Sequence, residues 1–237
     1  MIQTGTDNVL GVLGGMGPLA SAEFVKTIYE YNLNGREQES PIVMMYSDPT
    51  FPDRTDAFLA GSSDVLLDRL TEALVRLFEM GASRAVICCM TIHHLVPGLP
   101  RHIRNRVISL VDVLFDSVAR SRQKHLLICS SGTRAMGIIE KHPRWELFKD
   151  RIILPDEHDQ AVIHRDLIYP IKKNPDIRTL FPLLESMLKR YEVDSFIAGC
   201  SEIHLLAKQF VNSNDQSFYG CIDPLAIIAR ELVEEYK

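Results

Sequence analysis

The chain has 237 residues, enough for one large α/β domain or two small ones around a sizeable core. It is 46% hydrophobic and 24% charged, as soluble globular proteins are, and a net charge of -5 lacks the basic footprint of a general nucleic-acid binder. No apolar run approaches the roughly 18 to 20 residues of a membrane span, the polar start has no cationic segment of a signal peptide, and five cysteines, an odd count, read as free thiols in a reducing cytoplasm.

Short apolar runs predict buried parallel strands at Val9–Leu13, Ile42–Tyr46, Ala85–Cys89, Val107–Leu110, Leu126–Cys129, Ile152–Leu154, Phe196–Ala198 and Phe218–Ile222. Amphipathic helices alternate with them. Leu66, Leu67, Leu70, Leu74, Leu77 and Phe78 form one apolar stripe at helical spacing, with Ser63 as the N-cap. Leu180, Leu183, Leu184, Met187, Leu188 and Tyr191 form another, and Asp223-Pro224 reads as the cap and first residue of a last helix. The alternation predicts an α/β fold with parallel sheets covered on both faces.

An internal echo divides the chain. Cys89-Met90-Thr91-Ile92-His93-His94-Leu95 and Cys200-Ser201-Glu202-Ile203-His204-Leu205-Leu206 share the pattern C-x-x-I-H-x-L, each after an amphipathic helix and a short apolar strand. The expectation is two similar three-layer α/β halves, each with a parallel four-stranded sheet, related by a pseudo-twofold across an active-site cleft. Residues 1–107 plus 212–237 would form the first half, which carries Cys89, and residues 108–211 the second, which carries Cys200.

Ligands of open parallel sheets bind at the carboxyl ends of the strands. Cys89 and Cys200 both sit there, before helices whose N-termini favour an anion and lower a thiol pKa. One such cysteine suggests a nucleophile; two on opposite walls suggest proton removal from one face of a carbon and proton return to the other. Thr91 and Ser201 supply donors for the adjacent carboxylate. Cys129 and Cys221 read as small buried hydrophobes. Cys88, adjacent to Cys89, must point to the opposite face.

These residues resemble the cofactor-independent aspartate/glutamate racemase family over nearly the whole chain. The similar segments are Gly11 to Ala20, Pro52-Asp53-Arg54-Thr55, the first cysteine segment, Ser130-Ser131-Gly132-Thr133 and Gly199-Cys200-Ser201-Glu202. The resemblance implies that Cys89 and Cys200 are the acid/base pair and that Arg54 and Lys172 hold the side-chain carboxylate of the substrate. It implies that Met90, Thr91, Ser130, Thr133 and Ser201 surround the α-carboxylate and amine, that Met16 lines the cleft, and that Glu202 lies beside the site. It further implies a homodimer that uses neither pyridoxal phosphate nor metal and acts on aspartate, with glutamate as the close alternative. The chain departs from the usual Pro-Cys-Asn-Thr motif at Cys88 and Met90, and has Ser201 where threonine is usual.

Other readings compete. Gly15 to Ala20 fits the dinucleotide pattern G-x-G-x-x-A, but the acidic residue expected about 20 positions on is poorly placed, since the next strand ends at Asp48. Cys89, His93, His94, Cys200 and His204 can be drawn as a zinc set without any supporting ligand spacing. His93 and His204 could instead tune their cysteines or pack on a helix face. The basic run Pro100 to Arg106 reads as a solvated face rather than a nucleic-acid site. An isomerase of another small diacid such as maleate, or an amino-acid-binding protein without catalysis, uses a similar cleft; binding alone needs neither cysteine.

Overall fold

The computed structural model describes residues 8–33, 36–173, 176–213 and 219–235. Eight strands form two four-stranded parallel sheets. The first contains β1 (Val9–Gly14), β2 (Ile42–Ser47), β3 (Arg84–Ile87) and β4 (Val107–Ile108) in the order β2-β1-β3-β4. The second contains β5 (His125–Cys129), β6 (Ile152–Ile153), β7 (Ser195–Gly199) and β8 (Gly220–Ile222) in the order β6-β5-β7-β8. The two orders are the same, strand for strand. β1, β5 and β7 are buried along their whole length, which is why their sequences are apolar without alternation, whereas no residue of the edge strand β2 is fully buried.

In the first half the strands are joined through α1 (Pro18–Asn32), α2 (Arg54–Leu59), α3 (Ser63–Glu79) and α4 (Arg101–Arg104). The crossover helix α5 (Leu110–Arg120) leads to the second half. There α6 (Ser131–Ala135), α7 (Trp145–Phe148), α8 (Glu157–Val162), α9 (Tyr169–Ile171), α10 (Phe181–Arg190) and α11 (Ser201–Ser213) follow, before α12 (Pro224–Glu235). Leu66, Leu70, Leu74 and Leu77 of α3 cover the outer face of the first sheet; Leu184, Leu188, Ile203 and Phe210 of α10 and α11 cover the second. A third cluster joins both sheets through Phe24 of α1, Phe115 of α5 and Ile228 of α12, against Val12, Leu127 and Ile197. Each sheet therefore lies between an outer layer and this shared inner layer. Among the described residues no helix is long and apolar enough to cross a membrane.

Several boundaries differ from the sequence expectation. β3 ends at Ile87, so Cys88 and Cys89 lie just beyond it. Ser109 and Leu110 leave β4 because the Ser109 hydroxyl accepts from Asp112 N–H and starts α5. Ser62 rather than Ser63 is the N-cap of α3, and makes no side-chain cap bond. Asp223 caps α12 as expected, accepting from the N–H groups of Leu225 and Ala226. β4 straddles the boundary placed between 107 and 108, and β8 pairs with β7 to complete the second sheet while α12 returns to α1. The tail assigned to the first half thus serves both halves. Phe218, expected to open the last strand, lies outside the described residues.

Candidate active site

The carboxyl ends of β1, β3, β5 and β7 carry the loops that meet between the halves. The loop after β1 turns at Gly15, whose φ of +92° lies in the region glycine tolerates. Ser21 of α1 braces that turn, accepting from Gly15 N–H at 3.1 Å and donating to Gly17 O at 2.7 Å. A side chain at Gly17 would collide with Oε1 of Glu202, so this glycine is what lets the first half close on α11.

Cys89 follows β3 and is 4% exposed; Cys200 follows β7 and is 8% exposed. Cys88 points away into the shared inner layer, and burial pushes its thiol far up. Cys129 is likewise inert, its thiol pushed by burial to about 12. The two outward cysteines face different groups. Arg54 opens α2, which Asp53 caps by accepting from Thr55 and Asp56 N–H. Its guanidinium donates to Pro52 O (3.0 Å) and Met16 O (3.1 Å) and reaches Cys89; its buried Nε has no partner. Burial acts to lower the Arg54 pKa, but Cys89, Asp53 and Glu202 overcome it and hold the group above its ordinary value. The Cys200 thiol instead donates to Glu202 Oε2 at 2.8 Å, and burial followed by the Glu202 charge raises it well above the ordinary thiol range. Ser201 donates to the same oxygen at 3.2 Å, while Glu202 Oε1 is buried without a partner.

Hydroxyls close the floor across the two halves. Thr91 Oγ1 lies 3.0 Å from both Ser130 Oγ and Thr133 Oγ1, and Ser130 accepts from Thr133 N–H to cap α6. Lys172 sits on the second-half rim, its ammonium 3.7 Å from Asp53 and 5.1 Å from the centre of the Tyr169 ring. A mouth of about 130 Å³ opens between Arg54, Lys172, Glu202, Gly17, Leu19 and Leu205. Two larger grooves, about 540 and 520 Å³, lie elsewhere; Cys89 and Cys200 line none of the three and reach the mouth only through Arg54 and Glu202.

Arg54, Lys172 and Glu202 line one mouth; Cys89 adjoins it through Arg54, Cys200 and Ser201 adjoin it through Glu202, and Thr91, Ser130 and Thr133 bond to one another across the two halves. Met16 packs its side chain into the first-half core beside Cys89 and offers its carbonyl to Arg54. Met90 turns its side chain into the shared core, leaving only its backbone near the cleft. The histidines of the echo do not bond to their thiols. His93 Nδ1 donates to Cys89 O (2.8 Å) while Nε2 accepts from Leu110 N–H (3.2 Å), and burial drives its pKa down to about 4. His204 binds Asp223 (2.6 Å) and Thr27 (3.0 Å), so the drawn zinc set does not converge. Sequence reasoning missed His164, whose Nδ1 accepts from Ser131 N–H at 3.3 Å, and gave no role to Asp53, which meets Lys172. The cap pattern before Arg54 could have pointed to Asp53; nothing local pointed to His164.

Known proteins share this architecture. The chain is 22% identical over 234 residues to the broad specificity amino-acid racemase RacX of Bacillus subtilis, covering 96% of this chain and 98% of that one. It superposes on the aspartate racemase of Picrophilus torridus with a TM-score of 0.80 at 20% identity, over 97% of this chain and 94% of the other. Glutamate racemase of Francisella tularensis gives 0.62 at 14% identity, over 97% and 81%. The Asp/Glu/hydantoin racemase family model matches residues 13–232. With nearly the whole chain matched, the protein belongs to the Asp/Glu/hydantoin racemase family and is an isomerase of the racemase class.

Proposed function

We propose that the protein interconverts L- and D-aspartate by proton transfer at Cα between Cys89 and Cys200, without pyridoxal phosphate or metal. The observation that carries this reading is the opposite charge beside two cysteines at matching strand ends: Arg54 at Cys89 and Glu202 at Cys200. A cation favours a thiolate and a carboxylate favours a thiol, which is the pairing one proton transfer needs. The Cys89 thiolate takes the proton from one face of Cα. The electron pair left on carbon spreads into the α-carboxylate, and the Cys200 thiol returns a proton to the other face. Turnover exchanges the roles of the two sulfurs, and the reverse reaction starts from Cys200.

In this reading the hydroxyls of Thr91, Ser130, Thr133 and Ser201 and the backbone at Met90 and Thr91 face the α-carboxylate and amine. Unpartnered Glu202 Oε1 suits the substrate ammonium. Arg54 and Lys172 take the distal carboxylate, Arg54 through a fork that includes its unpaired Nε. A mouth of about 130 Å³ with Arg54 and Lys172 on its wall suits a small diacid. The protein acts in the cytoplasm as a homodimer, a state checked by light scattering of the purified protein.

The test is chiral chromatography of L-aspartate incubated in heavy water with enzyme stripped of metal and pyridoxal phosphate. The expected result is D-aspartate bearing deuterium at Cα. Absence of both D-product and exchange would overturn the reading and direct the search to glutamate, then to maleate and other diacids.

A further inference from the structure

The cleft has one histidine at its edge that the mechanism above does not use. His164 lies in a π-helical segment, Ile163–Ile168, a rare backbone form that recurs at functional sites. Hydrogen bonds from i to i+5 wind the chain more widely than an α-helix and bring His164 next to Tyr169, their rings edge to face at 5.1 Å and 85°. The Tyr169 ring in turn carries the Lys172 ammonium over its face at 5.1 Å. On its other side the imidazole Nδ1 accepts from Ser131 N–H, the residue after Ser130 of the hydroxyl floor. A continuous chain of contacts therefore runs from the floor of the cleft through His164 and Tyr169 to the cation on the rim.

We propose that His164 is a positioning residue for Lys172: bolted in its neutral form to the Ser131 N–H, it sets the Tyr169 ring and so presents the Lys172 ammonium to a distal carboxylate. This inference rests on the reading that the cleft takes a dicarboxylate. An acceptor at Nδ1 cannot carry a proton, so protonation breaks the Ser131 bond and places a second cation near Lys172. Burial and then Lys172 lower the His164 pKa from the imidazole value of 6.5, against the opposing charges of Asp53 and Asp56 on the facing first-half segment and Glu202 on α11. The break therefore falls on the acid side of the ordinary imidazole range.

The experiment measures KM and kcat for aspartate and for asparagine between pH 5 and 8, with calorimetric binding of succinate at both ends of that range. The full-length wild type is compared with His164→Phe and His164→Asn. His164→Phe should raise the aspartate KM and the succinate Kd roughly tenfold, the scale of one misplaced charge-assisted hydrogen bond, with a much smaller change in kcat and in asparagine turnover. His164→Asn keeps an acceptor at the Nδ1 position without titrating. Lacking the ring that meets Tyr169, it should recover only part of the wild-type affinity at pH 8, and it should lose the rise in KM and Kd that the wild type shows at pH 5. Equal succinate affinity in wild type and His164→Phe, including none in either, overturns the inference. So does an acid-side rise retained in His164→Asn, or a loss in His164→Phe shared equally by kcat and by asparagine. A wild type that leaves aspartate unchanged yet binds succinate with the same dependence on His164 would sink the proposed substrate and leave the positioning role standing.

Discussion

On the first-half wall Cys89 follows β3 and meets the guanidinium of Arg54; on the second-half wall Cys200 follows β7 and donates a hydrogen bond to Glu202. The strands occupy the same place in sheets of the same order, and each cysteine is followed four residues later by a histidine. The histidines diverge. His93 takes the Cys89 carbonyl with its ring, leaving its own N–H to bond Met90 O, so the chain enters a 3-10 segment, Thr91–Gly98. His204 turns away to Asp223 and Thr27, and the chain continues as the helix α11. The same scaffold thus presents two sulfurs in equivalent positions beside opposite charges, Arg54 at one and Glu202 at the other.

The largest test removes one sulfur at a time. Cys89→Ser and Cys200→Ser should each lower racemisation by about a thousandfold, since a hydroxyl replaces the thiol in a proton transfer worth that much. The variants should differ in what they keep. In heavy water each should wash deuterium into the single enantiomer whose Cα–H faces the remaining cysteine, the two variants choosing opposite enantiomers. Exchange into both enantiomers by either variant would break the division of labour between the walls.

Arg54→Ala removes the cation from the Cys89 wall and from the distal carboxylate together. KM for aspartate should rise roughly fiftyfold, the size of a lost hydrogen-bonded charge. Arg54→Lys should recover little of it, because a point charge cannot reproduce the fork. An unchanged KM in Arg54→Ala would remove the residue from the substrate.

Glu202→Gln acts on the other wall and more gently. It deletes the charge that, after burial, holds the Cys200 thiol up. Alkylation of Cys200 by iodoacetamide at pH 8, followed peptide by peptide in a mass spectrometer, should gain on that of Cys89. Racemisation should fall roughly tenfold as the charge that favours the Cys200 thiol is lost. A labelling order that does not move would mean that burial alone sets Cys200.

All eight strands and the cysteine pair were legible because buried parallel strands are written as continuous apolar runs and because each half repeats the same heptapeptide pattern. Arg54 and Lys172 came from family resemblance, since isolated cations next to turns look like solvated surface. What escaped depended on geometry that no local pattern encodes. His164 reaches Tyr169 only because the segment is wound as a π-helix. The strand β8 joins the second sheet although its chain neighbour α12 returns to the first half, a choice made by the shared inner layer and not by either segment. Met90 stands in the motif beside Cys89, yet the tight turn after β3 aims it into the core with Cys88. The departure from the usual motif at that position therefore changes packing behind the wall more than the wall itself.

The gentlest effect on turnover concerns the support behind Cys89. His93 is buried and neutral, donating from Nδ1 and accepting at Nε2, and its pKa falls from 6.5 to about 4. The unfolded chain therefore takes up the proton first as pH falls. The contribution of His93 to stability is whole above about 6.5 and is lost progressively down to about 4, amounting to about 3 kcal/mol over that window. Urea unfolding at pH 7, 5.5 and 4 should show this loss in the wild type. His93→Gln, whose amide can donate and accept without titrating, should lose that part of the slope. Both variant and wild type losing stability equally would move the acid sensitivity away from the Cys89 wall. The corresponding substitution at His204 removes a partner of Asp223 and Thr27 instead, so its effect should be on the seam between α1, α11 and α12 rather than on the backbone at Cys89.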